Sequence, residues 1–162
     1  MAGAGFDAEV VAGVDLGLKR RTGKFAYVWG TVIGALSYPF PPLTVRIDGV
    51  AHGAFGVVVC RARHYGGPFV AAPRARMDAE TFQVCLLKRP GAVNVFRYGA
   101  ALMLGRLARL ADVEIATARH IAIDGPAGAP VQVDGDIRAR LPAEIDLAPE
   151  TIELIVPETD RR

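Results

Sequence analysis

The hexapeptide Val131-Gln132-Val133-Asp134-Gly135-Asp136 decides how the chain is read, because an alternating apolar run stops there at two carboxylates flanking a glycine. Two readings follow. An Asp-Gly pair between alternating residues signals a hairpin, since glycine accepts the positive φ that a tight turn demands. If the backbone instead stays extended through Gly135, residues two apart share a face, and Asp134 and Asp136 present both carboxylates to one cleft. Such a pair divides labour: one carboxylate takes a proton from a hydroxyl, while the other holds hydrated magnesium or orients the first. Phosphoryl transfer needs that arrangement.

Outward from this hexapeptide the chain reads mainly as β-structure. Upstream lie Val113-Glu114-Ile115-Ala116 and His120-Ile121-Ala122-Ile123, and downstream the closing run Thr151-Ile152-Glu153-Leu154-Ile155-Val156. Earlier, Leu43-Thr44-Val45-Arg46-Ile47 alternates and Asp48-Gly49 turns. Phe55-Gly56-Val57-Val58-Val59-Cys60 then reads as a strand buried on both sides, and Phe82-Gln83-Val84-Cys85-Leu86-Leu87 as another. Between these two runs, residues 61–75 form a loop rich in arginine and glycine. The opening Gly5-Phe6-Asp7-Ala8-Glu9-Val10-Val11 alternates and predicts a strand.

Two segments change period. Phe25, Val28, Trp29, Val32, Ile33 and Leu36 recur at helical spacing after the basic cluster Lys19-Arg20-Arg21 and Lys24, and Pro39-Phe40-Pro41-Pro42 ends that helix. Val93, Phe96, Ala100, Met103, Leu104, Leu107 and Leu110 fall on one helical face, with Arg97, Arg106 and Arg109 off it. This predicts an amphipathic helix whose apolar stripe packs on the core. The expected fold is therefore mainly β, a two-layer antiparallel β-sandwich with two helices, in one domain over residues 1–162.

Composition bounds the function. With 51% hydrophobic and 22% charged residues over 162 positions, the chain falls among soluble globular proteins with a substantial core. Cys60 and Cys85 sit in apolar runs without metal-ligand spacing and read as small buried hydrophobes. The start lacks a basic and apolar secretory pattern, and prolines interrupt the uncharged stretch 25–45 before it reaches membrane-spanning length. The net charge of +2 conceals 14 Lys/Arg against 6 Asp/Glu up to residue 111, and 5 against 11 beyond it. One reading of that split puts phosphate or an anionic membrane at the basic part and a metal or proton at the acidic part. The other is a solvated surface.

Several chemistries are disfavoured. The chain holds no phosphate-binding G-x-x-x-x-G-K-[ST] loop, no dinucleotide fingerprint, no H-E-x-x-H, no paired C-x-x-C and no G-x-S-x-G elbow. His52, His64 and His120 are scattered, and the lone serine, Ser37, closes a helix, so acyl transfer by serine is not expected.

Five motifs taken in order carry a resemblance. Gly5-Phe6-Asp7-Ala8 is followed by Lys19, Gly23 and Phe25-Ala26-Tyr27, then by Tyr65-Gly66-Gly67 leading to Ala72-Pro73-x-Ala75. Val133-Asp134-Gly135-Asp136 and Leu154-Ile155-Val156-Pro157 complete the series. Together they resemble the C-terminal domain of the diacylglycerol kinase and sphingosine kinase family of lipid kinases, over nearly the whole chain. The resemblance implies a β-sandwich that supplies the lipid site and the catalytic acid, while an N-terminal lobe with a Gly-Gly-Asp-Gly-Thr loop binds ATP. No such loop occurs in this sequence.

By position, the resemblance makes Asp134 the general base toward a lipid hydroxyl, or its partner, and puts Asp136 where the family has glutamate. A family loop holding a structural magnesium corresponds to Arg76-Met77-Asp78-Ala79-Glu80, with Ala79 at a ligand position and Asp78 or Glu80 as substitutes. Tyr27, Trp29, Phe96 and Met103 are candidate walls of a lipid pocket, with plain core packing the alternative for each.

The expected cofactors are magnesium and ATP, both in the complete enzyme. The expected partners are a lipid substrate, the absent ATP lobe and an anionic membrane surface met by the cluster Lys19 to Lys24. A nucleic acid is not expected, and a homodimer is left open. The expected location is cytoplasmic, with peripheral association at the inner membrane. The alternative function is a non-catalytic β-sandwich module that binds a lipid or another protein.

Overall fold

Alternating burial along successive strands builds two antiparallel sheets whose apolar faces meet, as the pattern buried-exposed-buried-exposed-buried over Leu43–Ile47 illustrates. The computed structural model describes residues 1–13 and 34–148. The expected strand at 151–156, the basic cluster at 19–24 and most of the helix expected over 16–37 lie outside the described residues. A helical turn at 34–37 is present.

The larger sheet has six strands: β1 (Ala2–Gly5), β4 (Gly56–Cys60), β7 (Phe82–Leu87), β8 (Val113–Ala118), β10 (Pro130–Val133) and β11 (Asp136–Arg140), in the order β11-β10-β1-β4-β7-β8. The smaller has four: β2 (Leu43–Ile47), β3 (Val50–Ala54), β9 (His120–Asp124) and β12 (Ala143–Asp146), in the order β12-β9-β2-β3. A short hairpin of β5 (His64–Gly66) and β6 (Phe69–Val70) interrupts the loop after β4. Between the two main sheets lies one apolar core, in which Val45, Ile121 and Ile123 of one sheet meet Val57, Val84, Leu86 and Val131 of the other.

A second core covers the far side of the larger sheet. Val58, Cys60 and Cys85 point there and pack under Ala71, Ala72, Tyr98, Ala101 and Leu107. Strand β4 is therefore buried along its whole length, as its unbroken apolar run predicts. Both cysteines are free and buried, and burial pushes their thiols up, to about 11 for Cys60 and about 12 for Cys85.

Two expectations are corrected. The strand predicted from Gly5 onward ends at Gly5, and Phe6–Gly13 is a helix, α1. Over so short a run the two periods coincide at i and i+4, so Phe6 and Val10 satisfy both. Gly5 adopts φ 99° and its missing Cβ would lie 2.8 Å from the Phe55 carbonyl oxygen, which permits the abrupt change from strand to helix. The second helix, α2 (Ala92–Met103), is present but stops short of the predicted Leu110, a separate 3-10 turn over Leu107–Arg109 burying Leu107, and the part of the predicted core stripe on α2 and its C-cap faces outward. Tyr98 and Ala101 are buried instead, while Val93, Phe96, Met103 and Leu104 are exposed.

Candidate functional site

A cavity of about 190 Å³ lies where α1 and α2 flank the end of the central strands, at the pair Gly5–Gly56. Phe6 and Val10 of α1, Phe40, Phe55, Leu87 and Val95 give it apolar walls. Phe6 stacks at tilted angles on Tyr38 and Phe40, with ring centroids 5.7 and 5.8 Å away, which fixes that wall. Tyr98 and Arg89 close the opposite side. There Tyr98 donates to Asp112 at 2.7 Å and accepts from the Arg89 amide at 3.1 Å, while Arg97 also binds Asp112.

One carboxylate reaches this apolar wall. Asp7, in the first turn of α1, accepts hydrogen bonds from the Tyr65 hydroxyl and from Gln132 Nε2, the latter at 2.8 Å. Burial raises its pKa above the usual carboxylate range, against the opposing pull of those two donors. Gln132 is itself fully buried, and its Oε1 accepts the Gly135 amide proton at 3.0 Å. A continuous hydrogen-bonded path thus runs from the cavity wall through Asp7 and Gln132 to the Asp134-Gly135 turn. Gly3 makes the path possible, since a Cβ there would stand 2.2 Å from Asp7 Oδ2 and 2.9 Å from Gln132 Nε2.

The hexapeptide is a hairpin. Asp134 and Gly135 take φ 51° and 88°, and Val133 pairs with Asp136, which defines a two-residue loop with both central residues left-handed. The extended alternative, which placed both carboxylates on one face, does not hold, because the chain reverses between them. Asp134 sits at the exposed tip, where its Oδ1 accepts the Met1 amine at 2.5 Å. Asp136 shares the face of its partner Val133, opposite to Gln132 and hence to Asp7, and pairs with Arg138 at 3.1 Å.

The other candidates are placed as follows. Phe96 and Met103 do not line the cavity; they are 45% and 67% exposed on the outer side of α2. Tyr27 and Trp29 lie outside the described residues. Asp78 is held by Arg76 through two hydrogen bonds of 2.9 and 2.6 Å, and Glu80 by Arg119 at 2.9 Å. Arg61 takes the carbonyl oxygens of Ala79 and Thr81.

Three guanidinium groups thus occupy the oxygens that a metal would use. Magnesium needs about six oxygen ligands in an open octahedron. This loop does not fit it, and the described residues contain no group of three His, Cys, Asp or Glu side chains able to hold a metal. Sequence reading missed Asp7, Tyr65 and Gln132 as one cluster. The available signal was Gln132 itself, a polar residue in an otherwise apolar strand.

Fold and site together define a two-layer β-sandwich with a helical flank that borders a small, largely apolar pocket. The chain belongs to the family described as the YegS C-terminal NAD kinase beta sandwich-like domain, whose model matches residues 1–156. Among solved structures, a diacylglycerol kinase from Bacillus anthracis str. Sterne is similar with a TM-score of 0.59 and 21% identity. The match covers 90% of this chain and 47% of that one. Another structure from that organism, provisionally described as a diacylglycerol kinase, matches with a TM-score of 0.62 and 20% identity over 90% of this chain and 49% of its own. At these identities the likeness shows the fold, and the chain spans about half the length of the structures that it matches. No curated protein matches the chain.

Proposed function

We propose that this chain is the acceptor half of an ATP-dependent lipid kinase, which receives a lipid hydroxyl of the diacylglycerol or sphingoid type. The observation that carries the reading is the apolar cavity joined through Asp7 and Gln132 to the exposed Asp134 turn. Apolar chains lie against Phe6, Val10, Phe55 and Leu87, where their burial is favourable at roughly 25 cal/mol per Å². Asp7 and Tyr65 give the polar end of the lipid a fixed hydrogen-bonding partner at the wall.

In this reading Asp134 is the general base. It takes the hydroxyl proton as the lipid oxygen attacks the γ-phosphorus, and the bond from that phosphorus to the β–γ bridging oxygen breaks to release ADP. ATP and its magnesium are assigned to the other half of the complete enzyme. Asp136, facing away from Asp7, has a supporting place in the hairpin through Arg138.

The test compares phosphoryl transfer from labelled ATP to diacylglycerol in mixed micelles with and without an ATP-binding half. This chain alone should not turn over. In a complete enzyme Asp134→Asn should lower the rate on the order of 10²- to 10⁴-fold without lowering the thermal midpoint. Full activity of an Asp134→Asn, Asp136→Asn double variant would end the proposal.

A second reading, a non-catalytic lipid-binding module, is favoured by the arginine-held loop at Asp78 and Glu80. Saturable lipid binding with no transfer by any complete form would select it.

A further inference from the structure

Helix α2 is two-sided in an unusual sense. Val95 and Tyr98 line the cavity and Ala101 packs beneath, yet the opposite arc carries the larger apolar side chains. Val93, Phe96, Ala100 and Met103 follow one another at intervals of three and four, with the C-cap Leu104 four after Ala100, and all five fall within an arc of roughly 100° at 3.6 residues per turn. All five are exposed, Val93 by 80% and Leu104 by 69%. A contiguous exposed apolar face of this kind marks an interaction surface.

Charge tells which one. From residue 81 to residue 111 the chain has five cationic residues, Lys88, Arg89, Arg97, Arg106 and Arg109, and no carboxylate. Arg97 and Lys88 turn to Asp112 and Glu114, and Arg89 lies 3.8 Å from Asp112. Arg106 and Arg109, just past the end of the helix, are exposed and have no carboxylate partner among the described residues. A protein partner would be selected by shape and mixed polarity. An apolar arc continued by unneutralised arginines matches a surface with hydrocarbon below and phosphate above.

We propose that α2 is an interfacial helix: its Val93–Phe96–Ala100–Met103–Leu104 face enters an anionic lipid bilayer surface, and Arg106 and Arg109 lie on the lipid phosphates. The helix then rests in the plane of the interface with its apolar side sunk to the acyl boundary. Its inner side, with Val95 and Tyr98, holds the cavity beside that boundary. The inference is separate from phosphoryl transfer, because vesicle binding is read without nucleotide.

The test is co-sedimentation of the 162-residue chain with vesicles of phosphatidylcholine alone or with about one-third phosphatidylglycerol. Binding should favour the anionic vesicles by at least tenfold. Phe96→Ser with Met103→Ser should weaken it at least tenfold on both vesicle types. Arg106→Gln with Arg109→Gln should remove most of the anionic preference, about fivefold per arginine.

Because all four side chains are exposed or lie outside the packed core, the variants should keep the wild-type circular dichroism and melting temperature. Equal binding to both vesicles, or unchanged binding by the Phe96/Met103 variant, overturns the proposal. So does a wild-type dimer in sedimentation equilibrium that this variant converts to monomer, since a second copy would then cover the face. Loss of anionic binding only on neutralising Lys19, Arg20, Arg21 and Lys24 overturns it as well.

Discussion

Asp7 is the residue on which the site turns, and its chemistry has a measurable sign. Burial raises its pKa, so the neutral form is the one that the folded chain tolerates best. The stability linked to that raised pKa is fully present below the unfolded carboxylate value of about 3.9 and is lost as pH rises through the folded value. Asp7→Asn keeps an acceptor for Gln132 and cannot ionise. The urea midpoint of this variant should match the wild type near pH 3.5 and move above it as pH approaches 7. A difference that stays constant with pH would contradict this account. Gly3 offers a second check at the same scale: Gly3→Ala drives a methyl into the Asp7–Gln132 bond and should cost about 1–3 kcal/mol in chemical denaturation.

At the scale of elements, the hairpin at Asp134-Gly135 and the orientation of α2 show what a linear pattern can and cannot specify. The turn was legible because Asp-Gly between alternating residues has few other uses, and the same held for Asp48-Gly49, where φ is 47° and 89°. Replacing Asp134 by valine, which resists positive φ, should lower stability by about 1–2 kcal/mol, whereas Asp134→Asn should leave it nearly unchanged; thermal melts of the two variants separate these outcomes.

The start of α2 was also legible, but its end, at Met103 instead of Leu110, and its facing were not. Counting apolar residues weights Val93, Phe96 and Met103 heavily and Ala101 lightly. The sheet accepts the small Ala101 and the hydrogen-bonded Tyr98, since both fit against Val58 and Cys85. The cluster of Asp7, Tyr65 and Gln132 was hidden for another reason. Its members lie up to 125 positions apart: the pairing of β1 with β10 brings Gln132 to Asp7, and the β5–β6 hairpin supplies Tyr65.

Across the whole molecule the charge split also holds the fold together. The basic first part and the acidic second part pair with each other: Arg46 with Asp124, Lys88 with Glu114, Arg97 with Asp112, and His52 with Glu114 at 3.0 Å. Most of these pairs are solvent-exposed, and each adds little to stability. Asp112 differs because it is largely enclosed and gathers Arg97 and Tyr98 at the edge of the cavity.

Arg97 holds the Asp112 carboxyl below its usual range, and Lys88 does the same for Glu114. Stability from a lowered carboxylate is present above the unfolded value and lost as pH falls through the folded one, the reverse of Asp7. The two signs predict a stability maximum in mildly acidic solution, falling on the acid side through Asp112 and Glu114, with Asp48 and Asp78 adding to that limb, and on the neutral side through Asp7, to which His120, held protonated by Asp146, adds. Asp112→Asn should therefore flatten the acid limb of the urea-midpoint profile and leave the neutral limb intact, while Asp7→Asn does the opposite. If both substitutions altered the same limb, the assignment of opposite signs to the two sides of the cavity would be wrong.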